Sequence, residues 1–469
     1  MQRRTFLLGG VAALVLSRTE TAFAGTTATV TSLAQLQQAI NSATAGARIV
    51  LKNGSYAVPS GSPITISGRH GTSASPITIT AETRGGVTLT GPHSFVVSNS
   101  SDIVISGFVF RQSSTLDLPA NSPGIRLTRN DFNLAAAAEH WVVVRGDGAK
   151  VDRNVFHDKS TKGCYLVVDG PSGTAMAQGT HILRNHFRDH SFGGDNGGEP
   201  IRLGVSSRAL GDAGATVEYN LFERVNGDPE GISVKASGNT IRYNTIRDSV
   251  GGIVLRHGND NRVEGNYLLA GGNGIRIYGN DHLIVNNYLA GIGGAGIVLG
   301  SGSVRDHFSG ESSDSRKGND APDRVTIVLN TLRNNGQGIV GESQRTLPPL
   351  ACRVADNLVV GDGDALVEMP YQQGITWKNN VLWGSAANGN IPAGGFTRAD
   401  PKLTAGSDGI HRLGSGSAAI NAASESSRVT DDVDGQTRTA PFDVGADEYS
   451  TAQPVRRPLT AADVGPGAA

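Results

Sequence analysis

The chain has few cysteines, few charged residues and, beyond its N-terminus, no long apolar run. Cys164 and Cys352 are the only cysteines among 469 residues, so a framework of several disulfides is excluded and stability must come from packing. The sequence allows two alternatives: a single disulfide between these cysteines, or two buried free thiols. Charged residues make up 18% of the chain and the net charge is -1, which gives no indication of nucleic-acid binding. No later stretch is apolar enough to enter a membrane.

Residues 1–24 have the pattern of an export signal. Arg3 and Arg4 precede an apolar run that is too short for a membrane anchor, and Ala22 and Ala24 provide a small-residue cleavage site. The stretch RRTFL resembles a twin-arginine signal, which exports proteins already folded. We therefore expect the protein to be exported, either to the periplasm or to the medium.

Glycine is abundant, with 63 residues interleaved with Val, Ile and Leu, which favours many short strands joined by tight turns over disorder. A Gly-Ile pair recurs at nearly equal intervals, beginning at Gly231, Gly252, Gly274 and Gly296. An asparagine in a similar context, as in LTRNDF and IVLNTL, recurs at Asn130, Asn154, Asn185, Asn220, Asn244, Asn266, Asn287, Asn330, Asn357 and Asn380. A repeat of about 22 residues fits one rung of a parallel β-helix with three strands per rung. Asparagines stacked from rung to rung would hydrogen-bond as a ladder.

The two ends of the chain break this repeat. Ser32 is predicted to cap a short helix whose apolar face, with Leu36 and Ile40, would cover the N-terminal end of the β-helix. No linker divides residues 25–450, so we expect one elongated domain. Residues 451–469 are rich in Pro and Ala and are predicted to be a flexible C-terminal tail.

Lys235 and Arg256 are the first candidates for chemistry because they lie one repeat apart. On a β-helix this spacing stacks the two side chains on neighbouring strands, about 4.8 Å apart. Alternation along ISVK points Ile232 inward and Lys235 outward. The neighbouring Arg256 would disfavour protonation of Lys235 and so favour its action as a base.

Two acidic residues, Asp228 and Glu230, come just before Lys235. Pro229 and Gly231 make an unbroken strand improbable here, so we expect both acids in the turn before the strand. With an asparagine oxygen from the preceding rung, they offer hard oxygen ligands for Ca²⁺. Slightly earlier in the chain, Glu199 and Arg202 are expected to pair with each other.

The stretches NGGEPIRLG, EGISVKASGN, LRHGNDNRVEGN and GIRIYGNDHLIVNNY resemble polysaccharide lyase family 6, which contains alginate lyases and chondroitinase B. The resemblance implies an all-β protein, a single-stranded right-handed parallel β-helix that cleaves uronate-containing glycans by β-elimination. It implies that Lys235 is the base, that Arg256 is the acid, and that Ca²⁺ is held by three residues, Asn196, Asp228 and Glu230. Asp228 is a departure, because the family pattern has glutamate at this position.

Three further residues are candidates for substrate binding: His257 beside Arg256, and Arg276 and Tyr278 one rung further on. His282 is expected at the surface. The favoured function is a lyase for an anionic polysaccharide, with alginate before chondroitin or dermatan sulfate because no extra cation cluster for sulfate groups stands out. A mannuronan C5-epimerase and a non-catalytic carbohydrate-binding β-helix are the alternatives, and the oligomeric state stays open.

Overall fold

The protein is described by a computed structural model that covers residues 25–194, 196–424 and 429–469. The predicted export signal, residues 1–24, lies outside the described residues and stays a prediction. Within the described ranges, none of the helices has the length and apolar character needed to cross a bilayer. Cys164 and Cys352 are both buried free thiols, which settles the alternative that the sequence left open.

A short helix, α1 (Leu33–Ser42), lies at the N-terminal end of the β-helix, as predicted. The Ser32 side chain accepts a hydrogen bond from the backbone N–H of Gln35, which caps the first turn. Leu36 and Ile40 are buried against the first rungs.

Strands make up most of the remaining regular structure, and each is short because three of them must fit into one rung. In chain order the first strands are β1 (Thr27–Val30), β2 (Arg48–Leu51), β3 (Gly54–Ala57), β4 (Ile64–Ser67), β5 (Ile77–Ala81), β6 (Val87–Gly91), β7 (Phe95–Ser98), β8 (Ile103–Ser106), β9 (Phe108–Gln112), β10 (Leu116–Leu118), β11 (Arg126–Thr128), β12 (Asp131–Phe132), β13 (Val142–Val144), β14 (Lys150–Asp152), β15 (Val155–Lys159), β16 (Leu166–Val168), β17 (His181–Leu183), β18 (His186–His190), β19 (Ile201–Leu203), β20 (Thr216–Glu218) and β21 (Leu221–Val225). They continue with β22 (Glu230–Val234), β23 (Thr240–Arg242), β24 (Thr245–Arg247), β25 (Gly252–Leu255), β26 (Arg262–Glu264), β27 (Tyr267–Leu269), β28 (Ile275–Ile277), β29 (Leu283–Val285), β30 (Tyr288–Ala290), β31 (Ala295–Leu299), β32 (Thr326–Val328), β33 (Thr331–Arg333), β34 (Gln337–Gly341), β35 (Cys352–Ala355), β36 (Leu358–Val360), β37 (Val367–Glu368), β38 (Ile375–Lys378), β39 (Asn380–Trp383), β40 (Phe396–Arg398), β41 (Thr404–Ala405) and β42 (His411–Arg412). Two 3-10 helices, Ser206–Arg208 and Ser315–Lys317, lie in loops.

The strands form three long parallel sheets, which confirms the predicted β-helix with three strands per rung. Two sheets have 14 strands each, and the third has ten: β10, β13, β16, β19, β22, β25, β28, β31, β34 and β37. Within the ten-stranded sheet Ile232 pairs with Ile253, and Ile253 pairs with Ile275. These isoleucines point inward and form a continuous apolar core with the inward residues of the other sheets.

The ten recurring asparagines form the predicted ladder, and all of them are buried. Asn154 illustrates the pattern. Its Oδ1 accepts from the backbone N–H and the side-chain amide of Asn130, at 2.9 and 3.0 Å. Its own amide donates to Leu127 O and to Asn185 Oδ1. Since the rungs from Asn130 to Asn380 repeat the bonds between asparagines, the ladder both satisfies buried backbone groups and fixes the register from one of these rungs to the next.

A second, shorter ladder of stacked polar side chains was not predicted from the sequence. The N–H of Asn239 donates to Asn261 Oδ1, and the N–H of Asn261 donates to His282 Nδ1 at 3.0 Å. His282 Nε2 in turn donates to the carbonyl of Tyr278. His282 is therefore buried rather than at the surface as expected, and burial lowers its pKa to about 4.

The C-terminal part of the chain folds back along the outside of the β-helix. One of its contacts is at Asp356, whose carbonyl accepts from the N–H of Gly445. Residues 451–469, which we expected to be a flexible tail, pack against the preceding rungs. The Arg456 guanidinium lies over the Tyr243 ring at 4.0 Å, and Arg129 donates to the carbonyl of Ala468 at 2.6 Å. The segment thus runs back along the turns that carry the asparagine ladder.

The ladder makes a direct prediction for stability. Replacing Asn154 by alanine removes the acceptor of the buried N–H of Asn130 and one donor to the carbonyl of Leu127, so the free energy of unfolding should fall by about 2 kcal/mol. Chemical denaturation of Asn154→Ala measures this loss. The control is Gln38→Ala, at an exposed position of α1, which should leave the unfolding free energy nearly unchanged. Equal stability of the two variants would contradict the structural role of the ladder.

Candidate active site

A polar cavity of about 490 Å³ lies on the outer face of the ten-stranded sheet. It brings together seven of the eight residues that the sequence singled out: Asn196, Asp228, Glu230, Lys235, Arg256, His257 and Arg276. The eighth, Tyr278, is not among the lining residues. Val205, Ser206, Pro229 and Lys317 complete the lining.

Lys235 and Arg256 stand at the same position on neighbouring strands. Val234 at the end of β22 pairs with Leu255 at the end of β25, and Lys235 and Arg256 are the next residues. The register therefore places the amine and the guanidinium beside each other on one wall of the cavity, as the repeat spacing predicted. Both side chains are partly exposed, at 18% and 32%, so each can reach a ligand.

Glu230 faces the cavity because β22 has an irregularity at its start. The register between β22 and β25 shifts between Glu230 and Ile232, so that Gly231 is an extra residue. Simple alternation would have pointed Glu230 inward with Ile232. We expected Glu230 in the turn before the strand, whereas the structure has it as the first residue of β22. The bulge still allows Glu230 to line the cavity, as a position in the turn would have done. There its Oε2 accepts a hydrogen bond from Ser233 Oγ.

Asp228 lies in the turn, as predicted, and its carboxylate is held by backbone groups. Asp228 Oδ2 accepts from the N–H of Gly197 at 2.9 Å, and Oδ1 accepts from the N–H of Glu230 at 3.0 Å. Burial raises the pKa of Asp228 and of Glu230, and the nearby Glu199 carboxylate raises both further. Asn196 lies at the exposed rim of the same cavity. Two carboxylates with raised pKa values that line one cavity with an asparagine are a donor set that suits a hard divalent cation.

Glu199 contacts Lys235, which sequence reasoning missed. We expected Glu199 to pair with Arg202, but its Oε1 lies 3.3 Å from Lys235 Nζ, and Arg202 contacts His140 instead. Glu199 is 1% exposed. Burial alone would raise the pKa of Glu199, but Lys235, the backbone N–H of Glu199 and Arg202 together lower it. Residue 199 is adjacent to Lys235 only because β19 and β22 are neighbours in the sheet, which no local pattern could reveal.

Arg256 is held from two sides. Its Nε lies 3.8 Å from Glu230 Oε1, and its guanidinium lies 5.6 Å from the centre of the Tyr278 ring. Tyr278 is 1% exposed and donates its hydroxyl to Glu342 Oε2 at 2.7 Å. A direct contact between Tyr278 and a sugar, as expected from the sequence, does not fit this burial. The ring instead supports Arg256, while Arg276 lines the cavity as expected and lies 3.6 Å from Glu342.

His257, a predicted substrate-binding residue, lines the cavity. It is 5% exposed, and among the described residues its Nδ1 has no hydrogen-bond partner. Burial, together with Arg256 and Lys235, lowers the pKa of His257 to about 3. His257 therefore faces the cavity as a neutral imidazole that can hydrogen-bond a ligand but carries no positive charge.

The neutral state of His257 predicts a pH dependence of stability. The unfolded chain binds a proton at His257 below a pKa of about 6.5, whereas the folded chain does so only near 3, so the native state loses stability as the pH falls through this window. Between pH 7.5 and pH 5 the unfolding free energy of the wild type should fall by about 2 kcal/mol more than that of His257→Gln. Denaturant titrations at both pH values give this difference. His70→Gln, at an exposed histidine, is the control, and parallel behaviour of wild type and His257→Gln would contradict the account.

Solved structures of polysaccharide lyases are similar to this chain. The PL6 family alginate lyase AlyGC has 25% identity and a TM-score of 0.73, with 93% of this chain and 60% of that one covered. The chain thus spans only 60% of the length of that enzyme. A mannuronic acid specific polysaccharide family 6 lyase from human gut microbiota has 23% identity and a TM-score of 0.70, covering 79% and 90%. A PL6 family polysaccharide lyase from Pseudopedobacter saltans has 23% identity and a TM-score of 0.67, covering 94% and 99%. At these identities the last two show the fold alone.

Two family models match the sequence. The model described as right handed beta helix region matches residues 230–389, which agrees with the predicted right-handed fold. The model described as chondroitinase B matches residues 30–298, more than half of the chain, and includes every residue of the predicted site. Curated protein sequences give no significant match. The chain belongs to the chondroitinase B family, polysaccharide lyase family 6.

Proposed function

We propose that the protein is a lyase that cleaves a uronate-containing polysaccharide, most readily alginate, by β-elimination. The observation that carries this proposal is the cavity itself, in which Lys235 and Arg256 stand at one register beside the carboxylates of Asp228 and Glu230. Family membership supports a lyase reaction, and the names of the similar structures favour alginate as the polymer.

Lys235 would act as the base. The proton at C5 of a uronate is acidic because it lies next to the carboxylate, and the free amine of Lys235 would remove it. Glu199, at 3.3 Å from Lys235 Nζ, would orient the amine and stabilise the ammonium that forms as the proton arrives. This gives the buried carboxylate a role in the reaction through Lys235.

Arg256 would act on the leaving group. As the C4–O4 bond breaks, negative charge develops on O4, and a guanidinium held by Glu230 and supported by the Tyr278 ring can donate hydrogen bonds to that oxygen. A guanidinium is a poor proton donor, so water would supply the proton that completes the leaving hydroxyl. The product then carries a C4–C5 double bond.

Asn196, Asp228 and Glu230 would hold Ca²⁺. The raised pKa values of the two acids support this proposal, since a divalent cation would offset the charge that burial disfavours. Bound there, the ion would neutralise the carboxylate of the substrate and stabilise the enolate-like charge. Asp228, shorter than the usual glutamate, is already held by the N–H groups of Gly197 and Glu230 and needs no rearrangement to stay in place.

Arg276 and His257 would bind the substrate. Arg276 lies one rung beyond Arg256 and can pair with the carboxylate of an adjoining sugar. His257, a neutral imidazole in the cavity lining, would hydrogen-bond a hydroxyl group of the sugar. Export before action on an extracellular polymer is consistent with the N-terminal pattern and stays a prediction.

Dermatan or chondroitin sulfate is the second candidate substrate, because the family model that covers residues 30–298 is described as chondroitinase B. Both polymers contain uronate, and the same Lys235 and Arg256 chemistry would apply.

The reaction is tested by incubating the purified protein with alginate and with dermatan sulfate and following the ultraviolet absorbance of the new double bond. We expect absorbance to rise with alginate, and Lys235→Ala and Arg256→Ala each to lower the rate by roughly 10²-fold to 10⁴-fold. Lys52→Ala, at an exposed lysine paired with Glu82, is the control that should keep full activity. No rise with either polymer would refute the lyase. Deuterium uptake at C5 without a double bond would identify an epimerase. Polymer binding by the wild type without any turnover, and equal binding by Lys235→Ala, would identify a binding protein.

The calcium proposal is tested separately. A chelator should lower the rate with alginate, and added Ca²⁺ should restore it, because the carboxylates of Asp228 and Glu230 otherwise repel an anionic substrate. Calorimetry with Ca²⁺ alone should detect binding to the wild type and weaker binding to Glu230→Gln. A rate that is insensitive to chelator, with no calorimetric signal, would exclude the ion and leave the role of Lys235 intact.

A further inference from the structure

The connection between β31 and β32 is much longer than the equivalent connections of the preceding rungs. It spans residues 300–325, whereas residues 256–261 join β25 to β26 and residues 278–282 join β28 to β29. We call residues 300–325 the inserted wall, because the segment folds back and contributes Lys317 to the lining of the cavity.

Two hydrogen bonds trace the path of the inserted wall past successive rungs. Asn280, in the turn after β28, donates to Asp320 Oδ2 at 3.1 Å. Arg316 donates to the carbonyl of Ser207, in the turn after β19, at 3.5 Å. The wall therefore reaches from β31 back to β19 and borders the strand ends that carry Lys235 and Arg256.

The inserted wall is internally fixed. Glu311 accepts from Arg316 Nε at 3.0 Å and contacts His307 Nδ1 at 2.8 Å, and all three side chains are nearly fully buried. Asp320 accepts from the backbone N–H groups of Asp306 and His307. Buried ion pairs and satisfied backbone groups of this kind hold a segment in one conformation.

Lys317 is the residue that the inserted wall contributes to the cavity. It ends the 3-10 helix Ser315–Lys317, which packs against Ser206–Arg208, and it lines the cavity with Lys235 and Arg256. Its partner is Asp314 at 2.7 Å, and both side chains are exposed, at 68% and 86%. Exposed pairs of this kind are weak because water screens them, so Lys317 can exchange Asp314 for a ligand carboxylate at little cost.

The position of Lys317 complements that of Arg276. Arg276 lies on β28 at one end of the cavity along the helix axis, and Lys317 lies beside the segment after β19 at the other end. The proposed base and acid stand between them on the rungs of β22 and β25. A polymer with one carboxylate per sugar would meet a cation on each side of the reacting unit.

We propose that Lys317 binds the carboxylate of the uronate unit on the β19 side of the unit that is cleaved. It is thereby a specificity-determining residue that favours polymers in which neighbouring sugars each carry a free, ionised carboxylate. This inference rests on the proposed function of the cavity and adds a subsite to it that is built from a segment outside the repeat.

The test compares Lys317→Glu with the wild type on alginate at low salt. We expect the charge reversal to raise KM about tenfold, the effect of about 1.4 kcal/mol, and to change kcat by less than about twofold. The effect should shrink as salt is added, because Lys317 is exposed to solvent. Asp314→Asn, in the same turn, releases Lys317 from its partner and should leave KM equal or lower. Lys402→Glu, an exposed charge reversal elsewhere, should leave KM unchanged.

An active wild type whose KM is unaffected by Lys317→Glu would overturn the subsite and leave the lyase proposal standing. A wild type that forms no double bond would instead refute the lyase, and calorimetry with alginate would then decide the subsite. Weaker binding by Lys317→Glu than by the wild type would support it, and equal binding would overturn it. Lys317→Ala serves as a second variant, expected to show the same direction with a smaller change.

Discussion

Hydrogen bonds between the amides of stacked asparagines keep the rungs of this β-helix in one register, and the position of every candidate site residue depends on that register. Each amide bonds to the next along the stack, as Asn154 does to Asn130 and Asn185. In a parallel sheet a slip by one residue would move every outward side chain to the inner face. The ladder lies on a different side of the β-helix from the cavity, yet it determines that Lys235 and Arg256 occupy equivalent positions on β22 and β25.

The cavity holds both cationic side chains and carboxylates, and their charges are only partly balanced. Lys235 pairs with Glu199, Arg256 approaches Glu230, and Arg276 approaches Glu342, each at 3.3 to 3.8 Å. None of these contacts is a short bidentate pair, so the cations can also interact with an anionic ligand. At the same time burial raises the pKa of Asp228 and Glu230, which favours neutralisation by a proton or a cation. An anionic polymer together with a divalent ion would satisfy both sets of groups.

The repeat made much of this structure predictable from the sequence, and the departures from the repeat did not. The spacing of the asparagines predicted the rungs, and the single repeat that separates Lys235 from Arg256 predicted their stacking, because both depend only on position within a rung. The pairing of Glu199 with Lys235 joins two side chains that are 36 positions apart in the chain. The hydroxyl of the buried Tyr278 bonds to Glu342, which follows β34. Lys317 reaches the cavity only because the inserted wall folds back as far as the rung of β19. The bulge at Gly231 shows that short-range features are also only partly predictable. Gly231 in the sequence indicated an interrupted strand, but not that the interruption is a bulge with Glu230 inside β22.

The central claim is that an amine and a guanidinium on successive rungs act on the same uronate ring. The most direct measurement is a crystal structure of the Lys235→Ala variant with an alginate oligosaccharide that it binds but does not cleave. The account predicts a single ring whose C5 faces the emptied position of the Lys235 amine and whose O4 lies within hydrogen-bond distance of Arg256. An oligosaccharide bound with Arg256 on a different sugar from the one that faces residue 235, or bound to another face of the β-helix, would contradict it.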